Sequence, residues 1–270
     1  MRRKPLTVGI GGLGAIGLPL AGALDRGIDG LRLAFVADRD DDRAASKIAG
    51  LRHRPVVTDF DGLAQADIVV EAAPAAVFDQ IAVPAIEAGR ILVPASAGAL
   101  LSRMDLSGRA RETGARIVVP SGALLGLDAV RAAAEGEVAS VEIETRKPPG
   151  GLAGAPYLAA HGISVEGLGA PLLVFEGDAR AAAAGFPANV NVAAALALAG
   201  IGPARTRVRI WADPSVARNI HTIRVEADAA RFTMTIENVP SEDNPRTGRM
   251  TPLSVLACLR GLVATLKIGS

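Results

Sequence analysis

The chain has 270 residues, half of them apolar and 21% charged, which excludes disorder and allows one large domain or two modest ones. Lys and Arg number 29 against 28 Asp and Glu, a formal charge of +1 with no block of one sign, so a nucleic-acid partner has little support. A single cysteine, Cys258, excludes an intrachain disulfide and a cysteine cluster for zinc or iron–sulfur.

Arg2, Arg3 and Lys4 imitate the basic start of a signal peptide. Glycine turns interrupt the apolar run after Val8, however, and Asp25, Arg26 and Asp29 follow before a long apolar segment ends. No stretch of about 18 residues reads as a spanning helix. The alanine-rich run 188–200 is too short for one. The expectation is a soluble, cytoplasmic protein with no membrane partner.

Residues 6–10 (LTVGI) read as a short apolar strand, followed at once by Gly11, Gly12, Gly14 and Gly17. A helix is predicted from 15 to 24, where Ile16, Leu20 and Leu24 fall at helical spacing. Residues 31–37 form a second strand ending at Asp38, 40–48 a weaker helix, 56–57 a short strand and 67–71 another strand. A helix bent by Pro84 is predicted over 75–88, a strand over 91–94, a helix over 103–112 and a buried strand over 116–119. Strand and helix alternate, and the strands are almost continuously apolar. That is the pattern of a parallel sheet covered on both faces.

The pattern changes after Pro120. Residues 138–146 alternate, with Ala139, Val141, Ile143 and Thr145 on one side and Val138, Ser140, Glu142 and Glu144 on the other, as in a half-exposed strand. Residues 147–154 (KPPGGLAG) read as a loop. A strand at 172–176 follows, then helices at 178–184 and 189–200, the second stopped by Gly200 and Gly202. Strands at 205–211, 218–227 and 231–237 suggest an antiparallel sheet. A final helix at 252–267 carries Leu253, Leu256, Leu259, Leu262, Val263 and Leu266 as its apolar stripe. The expected division is a dinucleotide-binding domain at 1–120, completed by the 251–270 helix, and a catalytic domain at 121–250.

The chemistry starts in the first turn. Gly12-Leu13-Gly14-Ala15-Ile16-Gly17 follows a strand and opens a helix. Gly12 permits the tight turn, Gly14 lets the backbone approach a pyrophosphate, and Gly17 allows helix and sheet to pack closely. The helix start offers N–H groups to the phosphates. Asp38, 21 residues after Gly17, stands where a carboxylate accepts the ribose hydroxyls of an adenosine. Its charge favours NAD over NADP, although Arg39 beside it could attract a 2′-phosphate. Small residues at the ends of later strands, Ala73 among them, leave room for ribose or nicotinamide, or form ordinary turns.

Three histidines are present. His53, between Arg52 and Arg54, is expected to face solvent, and His161 to end a helix. His221 aligns with Ile223 and Val225 on one face of its strand. It is either a satisfied core histidine or a proton-transferring group at a cleft. Three scattered histidines without cysteine argue against a metal site. A polar substrate needs positive partners, and Lys147, Arg146, Arg218 and Arg246 are candidates, although most such side chains simply face water. Asn189 and Asn191 either cap a helix or present amides to a ligand.

These segments together resemble the L-aspartate dehydrogenases over nearly the whole chain: GGLGAIG (11–17), VVEAA (69–73), PSGALLGLDAV (120–130), TRKPPGGL (145–152), VFEGDARAAAAGFPANVNVAAALALAG (174–200) and ADPSVARNIHTIRV (212–225). The resemblance implies an α/β protein, an N-terminal Rossmann domain followed by an α+β catalytic domain with a largely antiparallel sheet. It implies a homodimer that interconverts L-aspartate with oxaloacetate and ammonia through iminoaspartate, using NAD or NADP and feeding NAD biosynthesis. It carries the proton-donor role to His221 and the cofactor contacts to Gly12–Gly17, Ala123 and the Asn189/Asn191 pair. Lys147 sits in a family motif as a substrate group. Another imine or carbonyl reductase, and a non-catalytic dinucleotide-binding subunit, remain as alternatives that a substrate panel separates.

Overall fold

The computed structural model describes residues 4–187, 190–241 and 248–269. The chain divides into two compact units, 1–120 with 251–267, and 121–250 with 268–270.

The first unit strings together β1 (Leu6–Gly11), α1 (Gly17–Arg26), β2 (Leu31–Ala37), α2 (Asp41–Ile48), β3 (Val56–Val57), β4 (Ile68–Glu71), α3 (Phe78–Glu87), β5 (Ile91–Pro94), α4 (Ala97–Leu101), α5 (Asp105–Thr113) and β6 (Arg116–Ile117). Six strands pair in the order β3-β2-β1-β4-β5-β6, and every pairing is parallel. Ile68, Val69 and Val70 are all fully buried, which a strand achieves only when both faces of its sheet are covered. From β1 the chain builds outward to β3 on one side and from β4 to β6 on the other. The switch between β1 and β4 opens a crevice outside the carboxyl ends of the strands, where open α/β sheets take ligands.

The second unit contains α6 (Leu127–Ala133), β7 (Val138–Lys147), α7 (Pro156–Ala160), β8 (Leu172–Asp178), α8 (Ala179–Gly185), α9 (Asn191–Ala199), β9 (Thr206–Ala212), β10 (Asn219–Ala227) and β11 (Arg231–Asn238). Its sheet runs β11-β10-β7-β9-β8. Only the central β7–β9 pair is parallel, so the sheet is largely antiparallel. One face packs Val141, Ile143, Val208 and Ile223 against Ala182, Ala193 and Leu196 of the helices. The other carries ion pairs, Glu142 with Arg209 at 3.2 Å and Glu144 with Arg146 at 3.1 Å. Alternation along β7 produces both faces at once.

The last helix, α10 (Met250–Val263), adds Val255 and Leu259 to the apolar core of the first unit. The predicted leucine stripe is wrong at its ends. Leu253 is 58% exposed, and Leu266 lies beyond the helix and is 78% exposed. This helix is apolar on most sides, so periodicity does not single out the face that docks. Helices α4 and α6 have no counterpart among the predicted elements, because each spans at most 7 residues, two turns or fewer, too short to display a period. Helix α7 is the one expected to end at His161, which stands at its C-terminal cap. The boundary at Lys147 also differs from expectation. The residue closes β7 instead of opening a loop, because the buried series Val141, Ile143, Thr145 continues to it.

Candidate active site

In the first unit, the chain leaves β1 through Gly12, whose φ of 92° is accessible to glycine at low cost. A β-carbon there would stand 2.6 Å from the Ala72 carbonyl oxygen. At Gly17 it would collide with the carbonyl of Gly12. Gly14 is different, because the space beside its α-carbon is open. No side chain caps the start of α1 at Ile16. A turn that comes to the surface at Gly14, with open space beside that residue and an uncapped helix start, fits the phosphates of a dinucleotide. Leu13 is buried, while Ala15 and Ile16 are half-buried.

Asp38 follows β2. Its carboxylate accepts the Arg39 N–H at 2.9 Å and the Lys47 ammonium at 2.7 Å, and the Leu13 N–H also points to it. Partial burial raises its pKa, but the Lys47 and backbone hydrogen bonds outweigh that and hold the group below its ordinary value. Asp38 is therefore ionised, tied to the glycine turn, and able to accept further hydrogen bonds on its remaining lone pairs.

Glu71 closes β4 and is fully buried. It accepts the Ala73 N–H at 3.2 Å, the Ser96 N–H at 3.0 Å and the Ser96 hydroxyl at 3.0 Å. Desolvation nevertheless pushes its carboxyl up to about 7. Nothing in the reading of VVEAA as a strand end singled this residue out. The available signal was a lone carboxylate in an otherwise apolar strand.

In the second unit, the polar side chains gather at one end of the covered sheet face. Register sets Thr145 opposite His221, and His221 opposite Ile236. The Thr145 hydroxyl and His221 Nδ1 are 2.9 Å apart, so this hydrogen bond orients the imidazole and leaves Nε2 as its other polar atom. One rung further out, Asn219 pairs with Asn238, and Lys147 closes β7 opposite Ala212 of β9. Inward, the rungs are apolar: Ile143, Ile223 and Met234.

His221 is 3% exposed and Lys147 5%. Burial pushes the histidine down to about 3, and the Lys147 charge adds to the effect. Burial alone takes the Lys147 amine down to about 8. At neutral pH the imidazole is uncharged and the amine beside it largely protonated. Asn238 is buried and donates its amide to the Ala123 carbonyl at 3.0 Å, which fixes the 121–126 turn.

The other candidates separate. His53 is exposed beside Asp25, and His161 is exposed at the end of α7, stacked on Tyr157 at 3.9 Å. Arg146 points to the face opposite Lys147. It is held there by Glu144 and by Asp213 at 2.9 Å, with its guanidinium 4.9 Å from the Trp211 ring centre. Arg218 is exposed. Asn191 is the exposed first residue of α9. Asn189 and Arg246 lie outside the described residues. Among the described residues no group of His, Cys, Asp and Glu could hold a metal ion, and no helix is long and apolar enough to cross a membrane.

Residues 12–120 match the NAD-binding domain described for homoserine dehydrogenase, and residues 128–262 match the aspartate dehydrogenase C-terminal domain. An L-aspartate dehydrogenase of Bradyrhizobium diazoefficiens is 54% identical, covering 98% of this chain and 94% of that protein. L-aspartate dehydrogenase 3 of Bordetella bronchiseptica is 53% identical, covering 99% of each. Among solved structures, an aspartate dehydrogenase from Thermotoga maritima superimposes with a TM-score of 0.74 at 26% identity, covering 98% of this chain and all of that one.

Proposed function

Because the chain belongs to the L-aspartate dehydrogenase family, we propose that it interconverts L-aspartate with oxaloacetate and ammonia through iminoaspartate, using a nicotinamide dinucleotide. The observation that carries this reading is the polar end of the second sheet. A buried, uncharged imidazole held by Thr145 lies beside the buried amine of Lys147, on a face that is otherwise apolar.

The bound dinucleotide supplies hydride acceptance from C2 of the amino acid, and hydride donation in reverse. His221 is unprotonated at neutral pH, so Nε2 can take a proton from the water that attacks the imine carbon and pass it to the departing ammonia. Thr145 keeps the ring in the orientation this requires. Lys147 offers an ammonium to a substrate carboxylate, a charge-assisted bond on an otherwise apolar face.

Gly12, Leu13, Gly14, Ala15, Ile16 and Gly17 hold the pyrophosphate by backbone N–H groups, and Asp38 takes the adenosine ribose. Ala73, Ala123 and the Asn189/Asn191 pair are assigned as further cofactor contacts. The ionised Asp38 opposes a 2′-phosphate, so NAD is the preferred cofactor. A cytoplasmic homodimer that supplies iminoaspartate to NAD biosynthesis completes the proposal.

The test is the loss of nicotinamide absorbance when purified protein meets oxaloacetate, ammonia and NADH or NADPH. Oxidation that needs both oxaloacetate and ammonia is expected, faster with NADH. Oxidation without ammonia would instead identify a carbonyl reductase. NADH binding with no turnover of any such substrate would leave a binding subunit.

A further inference from the structure

We infer that Glu71 is a positioning residue for the nicotinamide half of the dinucleotide, acting through the two turns that its carboxylate ties together. The inference rests on the dinucleotide part of the proposed function and not on the substrate.

The geometry lies within one sheet edge. Glu71 ends β4, and its oxygens reach forward to the Ala73 N–H in the turn after β4. They also reach sideways to the N–H and hydroxyl of Ser96 in the turn after β5. The backbone repeats the link, with Ala95 N–H on the Glu71 carbonyl at 2.8 Å. The Ala72–Ala73 turn in its own right abuts the glycine turn. Ala72 N–H bonds the Gly11 carbonyl at 2.8 Å, and a β-carbon on Gly12 would stand 2.7 Å from the Ala73 α-carbon. One carboxylate therefore sets the turns after β4 and β5 against each other, while backbone contacts hold the first of them to the glycine turn.

The direction of the ligand follows from the strand order. Asp38 lies after β2, on one side of β1, and takes the adenosine end. The pyrophosphate sits over the turn after β1. A dinucleotide that continues along the carboxyl edge then reaches β4 and β5, the strands whose exits Glu71 fixes.

A purely structural role would not need a carboxylate. Burying one is costly, and an apolar residue of similar size packs at less expense unless the acceptors are used. Here they are used on groups at the ligand edge. Ser96 occupies the position before α4 where a serine usually caps the helix, yet it makes no capping bond, and its hydroxyl goes to Glu71.

The experiment compares two ligands on the same protein, NADH followed by fluorescence and ADP by calorimetry. ADP carries only the adenosine and pyrophosphate groups. In Glu71→Gln the new amide NH2 confronts the Ser96 and Ala73 donors. NADH affinity should fall about tenfold or more, while ADP affinity stays within about twofold. Ser96→Ala removes one of the three bonds and should show the same selectivity at about threefold. It carries the test if the first variant does not fold. Equal losses for NADH and ADP, or no loss for NADH, would overturn the inference. Wild-type protein that binds no NADH overturns both this inference and the cofactor reading. NADH binding without turnover of oxaloacetate and ammonia removes the aspartate reaction and leaves the role of Glu71 standing.

Discussion

The two units hold their polar groups in different ways. In the first, the groups proposed to bind the dinucleotide sit in turns, just past the carboxyl ends of parallel strands, and most of them are backbone N–H groups. In the second, they sit on the strands themselves, as side chains in two adjacent rungs of a covered face. A parallel sheet buried on both sides has little room for polar side chains within its strands, so binding moves to its edge. A sheet with one covered face can end that face in polar residues, and register then decides which of them meet.

That contrast makes substitutions in the two units separable. The largest effect belongs to His221→Ala, which should lower kcat by about 10²–10⁴-fold and leave the NADH dissociation constant unchanged. A lower Tm with unchanged kcat would make it a core histidine. Lys147→Met should raise KM for oxaloacetate by about 10–100-fold, the loss of a charge-assisted bond, again without touching NADH binding. Steady-state kinetics beside a fluorescence titration read both variants.

Changes in the first unit should do the reverse. Gly14→Val places a side chain in open space, so Tm should hold while NADH affinity drops by about tenfold or more. Gly17→Ala, which drives a methyl into the Gly12 carbonyl, should instead lower Tm. Asp38→Ala should raise KM for NADH by about tenfold and that for NADPH by less, since only the first loses a ribose acceptor without shedding a repulsion. Equal changes would break the assignment of Asp38 to the ribose.

The pH dependence of stability separates the units as well, because they carry opposite signs. Folded His221 titrates near 3 and an ordinary histidine near 6.5. Between those values the unfolded chain binds a proton that the folded one refuses, so stability falls as pH drops through the window. Glu71 titrates at about 7 against an ordinary 4.5. There the folded chain keeps a proton that the unfolded one has lost, so stability falls as pH rises from about 4.5 through 7. Thermal melts against pH should lose the first slope in His221→Asn and the second in Glu71→Gln.

The first unit was the more legible in sequence, because its signals are local. Glycines at close spacing, an acidic residue at the end of the next strand, and apolar runs between helices all fall within a few tens of residues. Even there, Glu71 passed as part of a strand end, since its partners on Ser96 are 25 residues away. The second unit was legible as strands and as one suspicious histidine. Its partner Thr145 lies 76 residues upstream, and Lys147 read as loop because of the prolines that follow it.

Sequence by itself determined the alternation of strand and helix, the glycine turn with Asp38 after it, and the half-exposed character of the later strands. These are consequences of period and local sterics, which neighbours along the chain express without help from the rest of the fold. Only tertiary structure decided that Thr145 meets His221, that Asn219 meets Asn238 one rung further out, and that Glu71 binds across to the turn after β5. Those contacts depend on strand order and register. These in turn are set by how whole apolar faces are buried, a property that no single segment carries.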